Sequence, residues 1–177
     1  LTMMASVTDV AGVNSISARI LANAAAAIAG MVSAPPIELG EQRPLIGATM
    51  FGVTTACVTI AREALEERGY EVLVFHATGT GGSAMESLID SGFIVGVLDI
   101  TTTELCDELV GGVFPAGRQR LEVAGRHGAP QVISLGALDM VNFGPPETVP
   151  EKFQGRRFYQ HNPTVTLMRT TPEENDR

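Results

Sequence analysis

Residues 72–88 read VLVFHATGTGGSAMESL. An apolar, β-branched run stops at His76 and gives way to Thr78-Gly79-Thr80-Gly81-Gly82-Ser83, after which a helical pattern resumes. A strand, a glycine loop and a helix in that order can hold a phosphate, because free backbone N–H groups and the helix dipole converge on the loop. The loop carries no Gly-Lys-Ser/Thr, so it is not a Walker A sequence. Gly79-x-Gly81-x-x-Ala84 does fit a dinucleotide-type G-x-G-x-x-A. Asp99 follows about 20 residues later, where a ribose-binding acid would stand. The competing reading is a tight turn with no ligand, which glycine-rich stretches form as readily.

The same edge of the fold collects other polar loops. Ligands of parallel α/β sheets bind beyond the carboxyl ends of the strands. The stretches there read FGVTTA (51–56), HATGTGG (76–82), DITTTE (99–104) and GALDMVNFG (136–144). Thr54 and Thr55, Thr78 and Thr80, and Thr101, Thr102 and Thr103 cluster in them. Threonines at helix starts cap the helix, and hydroxyls beside free N–H groups also suit an anion. His76, Asp99, Asp139 and His161 are the loose acid–base candidates. No HExxH or comparable ligand spacing is present, so no dedicated metal site is expected; Mg²⁺ carried by a nucleotide would leave no motif. Cys57 near a helix start has no evident partner base, and there is no G-x-S-x-G elbow.

Positioning these loops requires strands and helices in alternation. LIGATM, EVLVF, FIVGVLDI and QVISL read as strands. TTACVTIAREALEERG, GSAMESLIDSG, TTELCDELVGG and RQRLEVAGRHG read as helices between and around them. That alternation predicts an α/β fold with a parallel, Rossmann-like sheet and flanking helices over 45–177. Before it, LTMMASV reads as a strand, and Asn14 or Ser15 caps a helix to about Val32. Residues 1–34 therefore read as the C-terminal strand and helix of another α/β domain, and the Pro- and Gly-punctuated 35–44 as a linker. Beyond Gly136 a long loop is expected. Thr171, Pro172 and Glu174 form a helix-start signal near the C-terminus. The second domain thus reads as truncated.

Composition narrows the partners. The chain has 177 residues, a net charge of −8 and 45% hydrophobic residues. A core is affordable, and the acidic balance disfavours nucleic acid or an anionic membrane as the main partner. A small anionic ligand stays compatible, since a local set of N–H groups can hold one on an acidic protein. Two separated cysteines point to a reducing cytoplasm. The apolar run 22–32 is shorter than the roughly 20 residues of a membrane span. The Ala-rich first helix is compatible with a homo-oligomer.

GVTTACV, GYEVLVFHATGTGGSAMESL, GVLDITTTEL, GALDMVNFGP and HNPTVTLMRTTPEEN resemble the tomato mosaic virus resistance protein-like family of plants, fungi and bacteria. The opening TMMASVTDVAGVNSISARILANAAAAIAGM resembles that family's segment between its two α/β domains. One departure is Ala56, where the family leads us to expect proline. The resemblance implies ATP as the nucleotide, with Mg²⁺ accompanying it, and an unassigned enzymatic activity. It makes Thr78 to Gly82, and Asp99 with Thr101 to Thr103, the matching motif set. The expectation is an ATP-binding α/β protein. The alternatives are an enzyme on a small phosphorylated or carboxylated metabolite at the same loops, and a non-catalytic interaction module.

Overall fold

In the computed structural model the described residues are 2–9, 12–38, 40 and 42–177. They fall into two compact units, residues 1–42 and 43–177. The first is built on helix α1 (Ser15–Ser33), capped by Asn14. The Asn14 carboxamide oxygen accepts from the N–H groups of Ile16 and Ser17, and the Asn14 N–H donates to the Ser17 hydroxyl. The stretch ahead of α1, expected as a strand, is not one. Residues 2–6 join no ladder and Met3 is exposed; Leu1 lies outside the described residues. A strand persists only with a neighbour to satisfy its N–H and C=O groups, and among the described residues none pairs with 2–6. By length and a mean hydropathy of 1.4, α1 could cross a bilayer, a test that core helices and signal sequences also pass; none of its residues is buried.

The second unit opens with strand β1 (Leu45–Met50). A single 3₁₀ turn (Gly52–Thr54) leads into α2 (Thr55–Glu66), and β2 (Glu71–His76) follows. Next come α3 (Thr80–Asp90), β3 (Ile94–Thr101), α4 (Thr103–Val110), the short α5 (Glu122–Arg126) and β4 (Gln131–Gly136). The four strands form one parallel sheet in the order β2-β1-β3-β4. This is the expected α/β fold.

Strand alternation divides the sheet into two faces. Ala48, Val72 and Ile100 pack with Val58 of α2 on one. Val97 packs with Met85 and Ile89 of α3 and Ala124 of α5 on the other. Gly47 lies under α3, where a Cβ would press on the Met85 sulfur at 3.0 Å. Asp99 lies on that second face, between Val97 and Thr101.

Two expectations change. The RQRLEVAGRHG helix shortens to α5, because Leu121 has φ +79° and Arg120 ahead of it turns inward. The loop expected over 136–155 instead contains β5 (Met140–Phe143), and β6 (Phe158–Asn162) and β7 (Val165–Arg169) follow it. These form an antiparallel sheet, β5-β7-β6. Val141, Phe143, Phe153 and Met168 bury against Cys106 of α4 as its core. The capping box at Thr171 and Glu174 starts one helical turn, α6 (Pro172–Asn175).

Candidate functional site

In the parallel sheet the strand order reverses direction between β1 and β3, since β1 leads to β2 on one side and β3 to β4 on the other. Crevices at such switch points, beyond the carboxyl ends of the strands, are where α/β sheets take ligands. Four segments meet there: 51–55 after β1, 76–82 after β2, 101–103 at the end of β3, and Gly136 at the end of β4.

Most of the threonines expected at this edge are spent internally. Thr54 and Thr101 share a hydroxyl–hydroxyl bond of 2.6 Å, and Thr101 also donates to the Thr49 carbonyl. The Thr102 hydroxyl donates to the Ser134 carbonyl. Thr103 accepts from the Asn142 amide at 3.0 Å. Thr101, Thr102 and Thr103 are all buried. Thr55, Thr80 and Ser83 remain exposed and Thr78 half-buried, with the Thr55 hydroxyl donating to the Gly52 carbonyl.

The glycine loop already holds an anion, and it belongs to the protein. The Glu104 carboxylate, fully buried, accepts from Gly79 N–H at 2.6 Å and Gly82 N–H at 3.1 Å. The glycines are there for close approach. A Cβ at Gly79 would stand 2.6 Å from the Pro115 carbonyl oxygen, one at Gly81 would strike the His76 carbonyl, and one at Gly82 the Glu104 carboxylate. Gly79 also has φ +80°, which a side chain rarely adopts. The Gly81 N–H is left without an acceptor among the described residues.

Asp99 is likewise engaged. Its carboxylate receives Arg120 in a bidentate pair, at 2.6 and 2.7 Å, and the Thr49 hydroxyl at 2.7 Å. Arg120 continues to Glu104 at 2.8 Å and Glu86 at 3.4 Å. The Asp99, Glu104 and Arg120 side chains are at most 1% exposed. Burial by itself would lower the Arg120 pKa, but hydrogen bonds and charge from Asp99 and then Glu104 outweigh it and hold it above the ordinary guanidinium value. This cluster ties β3, α3 and α4 together beneath the strand-end loops. Sequence reading missed Arg120 and Glu104. Asp99 within the apolar strand IVGVLDIT was the available signal, because a buried carboxylate calls for a cation.

A third buried carboxylate, Asp107, serves the loop after α4. It accepts from Phe114 N–H at 2.9 Å, Asn142 N–H at 2.8 Å and the Asn142 amide at 3.2 Å. Burial pushes it up to about 6, against the pull of those donors and with a further rise from Glu104.

The acid–base candidates are not assembled into one site. Asp139 pairs with Arg169 at 2.7 Å in the turn before β5. His161 is exposed on β6, in the antiparallel sheet. Only His76 stands at the strand-end edge, exposed, its ring 5.3 Å from that of Phe51. Among the described residues, no group of three or more His, Cys, Asp or Glu side chains is placed to share a metal ion.

What the edge still offers is the start of α2. The N–H groups of Gly52 and Val53 meet no acceptor among the described residues, and Val53 is 88% exposed. They form the N-terminal turn of a helix that continues through Glu66, so the positive end of its dipole faces outward at the switch point.

Comparison with known proteins gives two family matches. "Uncharacterised protein family (UPF0261) C-terminal domain" covers residues 43–177, and "Uncharacterised protein family (UPF0261) N-terminal domain" covers residues 1–36. A UPF0261 protein of Clostridium tetani is 65% identical over 99% of this chain and 43% of its own length. One from Rhizobium meliloti is 60% identical over 97% of this chain and 43% of its own. The ToMV resistance protein Tm-1(GCR237) of Solanum lycopersicum is 51% identical over 99% of this chain and 24% of its own. The ToMV susceptible protein tm-1(GCR26) of the same plant is also 51% identical, so the likeness does not separate the two forms. The chain spans less than half the length of these relatives.

Proposed function

The chain belongs to the UPF0261 family, and from that membership and its strand-end geometry we propose that it binds a small phosphorylated ligand, ATP first, at the β1–β3 switch point. The observation that carries the reading is the unpartnered pair of N–H groups at Gly52 and Val53, at the outward positive end of α2. Free N–H groups at a helix start are suited to phosphate. Thr80 and the Gly81 N–H are the further contacts within the expected set. Gly79, Gly82 and Asp99 act from behind, fixing the loops through Glu104 and Arg120. Mg²⁺ would arrive with the nucleotide. This is a binding function. The separation of Asp99, Asp139 and His161 gives turnover no assembled machinery, so the metabolite-enzyme alternative falls behind.

The test is Val53→Glu. An exposed Glu in the first turn stabilises a helix by about 0.3–1 kcal/mol. The same charge repels an incoming phosphate, by about 0.7–2.8 kcal/mol per charge at roughly 6 Å for an effective dielectric between 80 and 20. The variant should melt no lower than wild type alone, yet lose most of the stabilisation that saturating Mg-ATP confers. For wild type that is about 2.7 kcal/mol at 100 times the dissociation constant. Undiminished stabilisation in the variant, or none in wild type from ATP, ADP or inorganic phosphates, refutes the proposal.

A further inference from the structure

Among the described residues, β4 is the one strand of the parallel sheet that contributes to neither of its cores. Val132 is 64% exposed, Ile133 50% and Leu135 80%. Alternation sends Val132 to one face of the sheet and Ile133 with Leu135 to the other, so both faces of β4 are apolar and bare. Parallel strands with apolar residues on both sides are the ones a sheet covers with helices on both faces. The strand itself is firmly held. Val97 N–H donates to the Pro130 carbonyl and Thr102 N–H to the Gly136 carbonyl, each at 2.9 Å, and the Thr102 hydroxyl donates to the Ser134 carbonyl at 3.0 Å. The bare side chains therefore stand on an ordered strand.

The opposite edge shows how this sheet finishes itself. β2 opens on Glu71 and closes on His76, and its Val72 is buried with Val58 of α2. Its most exposed apolar residue, Val74, reaches 37%. Charge and helix cover are usual means by which an edge refuses a further strand. β4 has neither, since residues 128–138 contain no charged side chain and no helix core includes it.

Two kinds of neighbour would complete the β4 ladder. A second β4, paired about a twofold axis, fills the hydrogen bonds but brings a strand as bare as the first, and leaves Val132 and Leu135 wet. A strand that arrives with its own helices closes the ladder and both faces together. Relatives 65% and 60% identical to this chain are more than twice as long as it is, so further strand–helix units are at hand in the same polypeptide.

We propose that β4 is an interior strand of the full-length protein, and that its free edge and both faces dock a further strand with flanking helices, drawn from the same polypeptide outside these 177 residues. The strand that fits is an uncharged apolar run of the LIGATM kind, because Val132, Ile133 and Leu135 offer no counter-charge. The inference is independent of the phosphate reading.

The experiment is amide hydrogen exchange on the full-length wild-type protein. A free edge leaves a row of N–H groups open to solvent, at alternate residues of the strand. With a neighbour in place, all the amides of Gln131–Gly136 should exchange as slowly as those of β1 and β3, about tenfold or more below the rate of an open edge. Fast exchange at alternate β4 amides overturns the proposal. Leu135→benzoylphenylalanine in the full-length protein, irradiated and digested, then identifies the neighbour. The expected product keeps the monomer mass and joins position 135 to a residue outside these 177. A dimer-sized product assigns the edge to a second copy, and a product joined only within the 177 residues, or none, leaves the edge unoccupied; each overturns the proposal. The exchange measurement needs no variant, so it decides the matter even if the substituted protein does not fold.

Discussion

Replacing Arg120 by methionine, which keeps much of the side-chain length and removes the charge, tests whether the buried ion cluster holds the strand-end loops. Arg120 makes its bonds to Asp99 at 2.6 and 2.7 Å and to Glu104 at 2.8 Å, and these two carboxylates are fully buried. The variant leaves both inside without a counter-charge. Breaking a buried pair from one side costs about 3–5 kcal/mol, because the remaining charge is uncompensated. Against a typical total of about 5–15 kcal/mol for a domain, that is a large fraction. The melting point should fall by about 6–20 °C at pH 7.5. The sign of the pH effect follows. An unpaired buried carboxylate has its folded pKa raised, so the native variant binds more protons than its unfolded chain. Its deficit against wild type should shrink as the pH is lowered towards 5. Urea unfolding of both proteins at pH 5 and 7.5 measures this. A loss under 1 kcal/mol, or a loss identical at both pH values, would refute the reasoning; the cluster would then be incidental to the fold.

Asp107 makes a pH prediction of its own. Its folded value of about 6 lies above its ordinary 3.8, so its native carboxyl keeps a proton that the unfolded chain releases. Its contribution is most favourable below about pH 4 and is lost as the pH rises through about 6, a swing on the order of 3 kcal/mol. Asp107→Asn abolishes that titration, so the stability difference between wild type and variant should change between pH 4 and 7.5; a constant difference would sink the idea. The two cysteines should differ in reactivity. Cys57 is exposed, whereas Cys106 is buried, donates to the Leu138 carbonyl at 3.1 Å and is pushed up to about 11 by burial, then by Asp107. A thiol-exchange reagent at pH 8 should label Cys57 quickly and Cys106 only with denaturant present; two fast thiols would contradict the packing of α4.

The parallel sheet was legible because its strands are short apolar runs, each followed by a helix with a recognisable start or stop. LIGATM and FIVGVLDI have no convincing alternative reading. The antiparallel sheet was hidden for the opposite reason. β6 reads FYQHN, exposed throughout and without alternation, and β5 is only four residues among turn formers. Pairing with β7 makes them strands: β5 meets it across a long stretch of chain, which leaves no local trace, and β6 meets it across the turn at Pro163 and Thr164 but lacks the alternation of a half-buried strand. At the site, the glycine and threonine loops were legible as a place and not as a chemistry. Glu104 and Asp107 sit three apart in TTELCDELV and look like the solvated side of a surface helix. Their burial depends on Arg120 and Asn142, 16 and 35 residues further along the chain.

Glu104 gives the glycine loop a permanent occupant supplied by the chain itself. Shortening it to alanine would leave a carboxylate-shaped vacancy lined by the N–H groups of Gly79 and Gly82 and the guanidinium of Arg120. Such a vacancy invites chemical rescue. Formate or acetate in solution would restore what the truncated side chain no longer supplies, with stability returning as the logarithm of the small acid's concentration once it exceeds the dissociation constant. Larger phosphates would be too bulky for the hole. The loop would then behave as an anion receptor selective for size, a property that the intact protein carries only in latent form.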